Sequence, residues 1–199
     1  HDVNMIKIKG DMLYVGIGDA DRNGNPGRNN IYTMTIARIV DLNQIVSNPV
    51  QIGANFKGPI NYLPAPAEWM NTKGTNGYLR YFASGFRNPF GINFDADGDL
   101  WVASNGNNDA GFISKDLLYK KVQLGDQGDF PPVAFGFTNY ITGNPITPFI
   151  DFGVSPSPVG FDFISEGPDV GKVILVQSGV WDTNTLGRDL ILIDPDSGS

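Results

Sequence analysis

The 199-residue chain contains no cysteine and a single histidine, His1. The first absence excludes disulfides, thiolate metal sites and thiol catalysis, although it does not by itself locate the protein. With one histidine and no cysteine, no zinc-type ligand spacing can be written. Basic residues are also scarce: 14 Lys and Arg stand against 21 Asp and Glu, for a formal charge of −7. Phosphate backbones are bound by clustered Lys and Arg, so nucleic acid is excluded as a partner. No apolar run approaches the roughly 18 residues of a membrane span. There is no Asn-x-Ser/Thr sequon and no Gly-x-x-x-x-Gly-Lys phosphate loop.

What the chain has in quantity is turn-forming residues, 25 Gly and 14 Pro, alongside 41% hydrophobic residues. Short apolar runs punctuated by Gly and Pro predict an all-β fold rather than long helices. Three segments repeat one pattern of strand, polar Gly-containing turn and strand: Met5–Ile8 with Met12–Val15 across Gly10-Asp11, Ile92–Phe94 with Leu100–Val102 across Asp95–Asp99, and Phe161–Phe163 with Val173–Val176 across Ser165–Gly171. The first strands alternate and the second are continuously apolar, which predicts outer first strands and more buried second ones. Further strands are expected at Ile31–Ile36, Ala37–Leu42, Leu79–Ala83 and Asp189–Ile193, and loops at Asp19–Asn30, Asn43–Thr75 and Gly125–Ser157. The acidic turn Asp95-Ala96-Asp97-Gly98-Asp99 places carboxylates at alternate positions, as a calcium loop does. It has no Gly at the sixth place and no Glu at the twelfth, and is read as a hairpin turn.

The most informative stretch is Gly85-Phe86-Arg87-Asn88-Pro89-Phe90-Gly91-Ile92-Asn93-Phe94-Asp95 running into Gly98-Asp99-Leu100-Trp101-Val102. An Arg-Asn-Pro corner interrupts an apolar strand and would aim a fixed cation and an amide from the end of a sheet. Together with His1 and Gly18-Asp19, this stretch resembles the soluble pyrroloquinoline-quinone (PQQ) sugar dehydrogenases, the glucose/sorbosone dehydrogenase family of β-propellers. The resemblance runs from His1 to about Asp194 and is densest around residues 81–106. Ser155–Phe161 and Gln177–Asp182 are similar to the family's sorbosone-dehydrogenase-like branch.

The resemblance implies a propeller of four-stranded antiparallel blades in a ring of six. The equivalent positions Leu13, Leu100 and Val173 are spaced wider than the roughly 40–50 residues of a simple blade, so each unit would carry long insertions. About three blades are accounted for in a single partial domain spanning residues 1–199. Three blades leave open sheet edges. The chain, which begins at His1, is therefore expected to be an excerpt or processed product, completed by further blades or a partner chain.

Site residues follow from the same resemblance. His1 would remove a sugar hydroxyl proton, oriented by Asp19, and a carboxylate beside an imidazole is a sound arrangement for a base working near neutrality. Arg87 would contact the quinone edge and stabilise the charge it acquires, with Asn88 supporting the cofactor. Gly106 and Asn107 occupy the places where the family's Gly-Pro carbonyls hold Ca2+; the acidic pair that follows is reduced to Asp109 or, after an insertion, Asp116. Trp181 reads either as a stacking platform or as a core residue. His1, at the very start of the chain, is equally open to a tag remnant or a frayed terminus, Asp19 to an Asx turn, and Arg87 to a cap on the blade. The implied function is hydride transfer from an aldose to PQQ by an extracellular or periplasmic oxidoreductase. A non-catalytic extracellular propeller serving binding or assembly is the alternative.

Overall fold

The computed structural model describes residues 3–18, 35–40, 79–106, 115–129, 143–154, 156–179 and 188–198. These residues contain strands and no helix. Strands β1 (Val3–Lys9), β2 (Met12–Ile17), β3 (Thr35–Val40) and β4 (Leu79–Ser84) form an antiparallel meander. A second meander begins with β5 (Asn88–Phe94), β6 (Leu100–Asn105) and β7 (Asp116–Val122). The two-residue strands β8 (Asp126–Gln127) and β9 (Asn144–Pro145) then extend the first sheet in parallel beyond β4. β10 (Ile150–Gly153) returns to pair with β7 and completes four strands in the second sheet. The third sheet is β11 (Pro158–Phe163), β12 (Val173–Gln177) and β13 (Leu190–Ile193).

The second sheet is the middle of the assembly, and strand β6 shows why. All six of its residues are buried. Successive side chains of a strand point to opposite faces, so Leu100 and Val102 enter a core with Tyr14, Phe82, Ile92 and Tyr119 of the first and second sheets. Trp101 and Ala103 enter another with Phe161, Val173, Leu175 and Ile193 of the third. Each large side chain buried in this way contributes about 1.5–3 kcal/mol. Aromatic edges lock both cores: Tyr14 meets Phe82 at 5.1 Å, and Trp101 meets Phe149 and Phe163 at 5.4 Å each. β5, the first strand of the middle sheet, packs against β1 and β11, the first strands of its neighbours. The fold is all-β and built of consecutive antiparallel meanders whose leading strands converge, as in part of a β-propeller.

The three hairpins lie where the sequence places them. In the central one Asp95 organises the turn: its carbonyl accepts the Gly98 amide at 3.0 Å, while its carboxylate accepts the Asp99 amide at 2.8 Å and the Trp101 indole N–H at 2.9 Å. Gly98 adopts φ +83, a conformation open to glycine and closed to most other residues. Asp99 pairs with Lys121 at 3.0 Å. This acidic stretch is a hairpin turn.

Several expectations are corrected. In place of separate strands at Ile31–Ile36 and Ala37–Leu42, the described residues hold one strand across the junction, Thr35–Val40. The segment read as a loop from Gly125 to Ser157 contains β8, β9 and β10. First strands do sit at sheet edges, yet β5 is mostly buried because it is wedged between two neighbours. Conversely, β12 alternates between buried and exposed, with Ile174 and Val176 37% and 42% exposed. Its continuous apolarity does not bury both faces because, among the described residues, only one face has a sheet against it.

Candidate functional site

The polar residues of interest gather at one end of the β5–β6 hairpin. Asn88 opens β5 and Asn105 closes β6, and the two are paired across the ladder. Pro89, which cannot donate to a ladder, is tolerated because β5 is an edge strand with an irregular register between Pro89 and Gly91. The first sheet approaches closely here. A Cβ on Gly16 would lie 2.7 Å from the Pro89 carbonyl oxygen, and Asn4 Nδ2 donates to Asn88 Oδ1 at 2.6 Å. Gly18, just beyond β2, also abuts the Asn88 side chain.

Arg87 and Gly106 meet in this arrangement. Arg87 Nη1 donates to the Gly106 carbonyl at 3.0 Å, and the Gly106 amide donates to Asp116 Oδ1 at 2.6 Å. Asp116 Oδ2 accepts the Ser157 amide at 2.8 Å. The Asp116 carboxylate is buried, and charge-assisted bonds of this kind offset its desolvation. A carboxylate, both polar groups of Gly106 and a guanidinium thus form one chain, with Ser157 tied to the same carboxylate. Ser157 holds φ +50, an unfavourable region for a residue with a Cβ.

Asn105 pairs with Asn88 across the ladder and precedes Gly106 in the chain. The residue is 9% exposed, and its Oδ1 is buried without a hydrogen-bond partner. Leaving such an acceptor without a donor costs about 1–3 kcal/mol.

Of the residues singled out from sequence, the structure therefore brings Arg87, Asn88 and Gly106 to one sheet end. His1, Asp19, Asn107, Asp109 and Trp181 lie outside the described residues. Asp116, one of two candidates for the remaining member of an acidic pair, holds two backbone amides. Asn4, Asn105 and Ser157 were not identified from sequence. The polar close of β6, Ser104-Asn105 after four apolar residues, is a signal that could have pointed to Asn105; Asn4 and Ser157 are placed by long-range contacts.

No family model matches the chain, and no curated protein matches it. Among solved structures it is similar to the PQQ-bound form of an aldose sugar dehydrogenase from Streptomyces coelicolor, with 17% identity, a TM-score of 0.48, and coverage of 92% of this chain and 45% of that one. It is also similar to the holo form of a pyranose dehydrogenase PQQ domain from Coprinopsis cinerea, with 15% identity, a TM-score of 0.47, and coverage of 94% and 57% respectively. The chain spans about half the length of each.

Proposed function

We propose that this chain is part of a quinone-dependent sugar dehydrogenase. The observation that supports the reading is the Arg87–Gly106 contact, which joins the Arg-Asn-Pro corner to the end of β6, the two segments that carry the densest resemblance to that family. A guanidinium on the Gly106 carbonyl and, on the preceding residue, a buried amide oxygen without a donor fit an occupant that offers both acceptors and donors. Arg87 and Asn88 would hold PQQ. When bound, PQQ supplies an acceptor for the hydride of an aldose carbon.

The chain's own part is electrostatic and positional. Arg87 presents a permanent, planar cation to a developing anion. Asp116, through Gly106, fixes the carbonyl on which that guanidinium rests. His1 would take the substrate hydroxyl proton and Asp19 would orient it, roles carried by the resemblance alone, as is stacking by Trp181. Placement in the extracellular or periplasmic space belongs to the same reading. So does completion of the ring by further blades or a partner chain.

The described residues do not fit calcium. The ion takes about six to eight oxygen ligands, whereas the Gly106 carbonyl already carries a guanidinium and both Asp116 oxygens carry amides. No cluster of three or more acidic or histidine side chains occurs among the described residues. The second reading is a non-catalytic propeller used for binding or assembly, which asks nothing of Arg87 beyond its contact with Gly106.

Titration of the full-length protein with PQQ separates the two readings. The dehydrogenase should bind PQQ, and Arg87→Lys, which keeps the charge but loses the fork, should weaken binding by about tenfold or more. If Arg87→Lys titrates as wild type does, Arg87 is structural and the binding-module reading stands.

A further inference from the structure

Asn105 Oδ1 is buried and accepts no hydrogen bond, while several polar groups around it in chain and ladder are already engaged. The adjacent carbonyl, Gly106 O, accepts from Arg87, and the adjacent amide, Gly106 N–H, donates to Asp116. The cross-strand partner, Asn88, accepts from Asn4 through its own Oδ1. Asn105 Oδ1 is a buried acceptor still in need of an N–H or O–H. We propose that Asn105 is the residue of this site that reads a substrate hydroxyl, its Oδ1 accepting a hydrogen bond from an O–H of a polyhydroxylated substrate.

This inference rests on the dehydrogenase reading and adds to it a residue that determines specificity. The chemistry of the two occupants assigns the contact. PQQ is edged by carbonyl and carboxylate oxygens, which complement the Arg87 donors and repel an amide oxygen, and it offers a single ring N–H. A sugar carries an O–H on most of its carbons. A buried acceptor selects strongly for such a group, because a ligand lacking it leaves the acceptor desolvated and unmatched.

The test uses the full-length protein loaded with PQQ, and a panel of 1,5-anhydroalditols, cyclic sugars that lack the anomeric hydroxyl and cannot be oxidised there, measured by calorimetry. Asn105→Val should weaken the tightest anhydro sugar by about tenfold while leaving PQQ affinity within about twofold of wild type. One monodeoxy analogue of that sugar, the one lacking the hydroxyl read by Asn105, should bind wild type and variant alike. Asn105→Ala is measured in parallel, so that poor packing of valine does not decide the result, and thermal melts check that both variants fold. Unchanged sugar affinity overturns the inference, as does loss of PQQ affinity instead of sugar affinity, an equal loss across every deoxy analogue, or a loaded wild type that binds no sugar of the panel. Wild-type protein that binds no PQQ overturns the dehydrogenase reading and the inference with it. PQQ binding with sugar affinity indifferent to Asn105 overturns the inference alone.

Discussion

Asp116 is 1% exposed, and its two oxygens accept the amides of Gly106 and Ser157 at 2.6 and 2.8 Å. Burial of a carboxylate is tolerated only where such bonds replace water. The consequence reaches beyond the residue, because Gly106 in turn receives Arg87, and Ser157 is held at an unfavourable φ. Asp116→Ala should leave two donors without a partner and lower stability by about 3 kcal/mol, or about 10 °C in Tm. Asp116→Asn keeps an acceptor for one amide and should fall between that variant and wild type. Thermal melts of both variants provide the check; a loss below about 1 kcal/mol for the alanine variant would mean that other contacts hold this backbone. The family resemblance marked Asp116 only as one of two candidates for an acidic pair; that its carboxylate holds the amides of Gly106 and Ser157, 10 and 41 positions away, was not legible in the sequence.

At the scale of elements, the distance between sheets is set by what their strands leave out. Gly91 on β5 faces β11, and a Cβ there would lie 2.8 Å from Phe161 Cδ1 and 3.2 Å from Ala103 Cβ. Gly91→Ala should therefore cost about 1–3 kcal/mol by overpacking. Gly160→Ala on β11 itself meets nothing within 4 Å and serves as the control, expected within about 0.5 kcal/mol of wild type in the same urea titration. The short strand β8 adds a pH-dependent element. Burial raises the pKa of Asp126, partly offset by the Gln123 amide that its carboxylate accepts at 2.7 Å. A raised folded pKa means that the folded state holds the proton more tightly, so the stability this group contributes is present below the ordinary aspartate pKa and lost as pH rises through the raised one. Asp126→Asn, which keeps the acceptor for Gln123, should raise Tm at pH 7, with the gain shrinking to nothing in acid. A Tm difference that is constant with pH would remove Asp126 from the pH dependence.

Among the described residues, apolar side chains stand exposed on parts of the outer sheets' sides that face away from the middle one, although Val15 and Ile17 of β2 are covered there. On the third sheet Ile174 pairs across the ladder with Leu192, and Val176 with Leu190, at 37–68% exposure. On the first, Ile6 and Ile8 are 52% and 64% exposed, on the face opposite the one through which Met5 joins the core. Strands apolar on both faces usually lie between two layers, as β6 does here. Residues 1–199 alone should therefore self-associate, and the pair Ile174→Lys with Leu190→Lys should reduce association without lowering the melting temperature by more than a few degrees. Sedimentation velocity decides: if residues 1–199 of wild-type sequence stay monomeric at high concentration, these faces have no use in association.

Local chemistry was enough to determine the hairpins, the Asp95–Asp99 turn and the all-β class. Alternation, continuous apolar runs and glycines at turns act over a few residues, and the same few residues fold together. The tertiary structure alone decided which faces are covered and what the polar residues touch. Val173–Val176 reads in sequence like a fully buried strand, and only the absence of a sheet on one side, among the described residues, exposes Ile174 and Val176. Arg87 and Asn88 stood out as residues, but their partners Gly106 and Asn4 lie 19 and 84 positions away, and Asp116 meets Ser157 across 41. Contacts at such separations depend on how the sheets stack, and no local pattern encodes that.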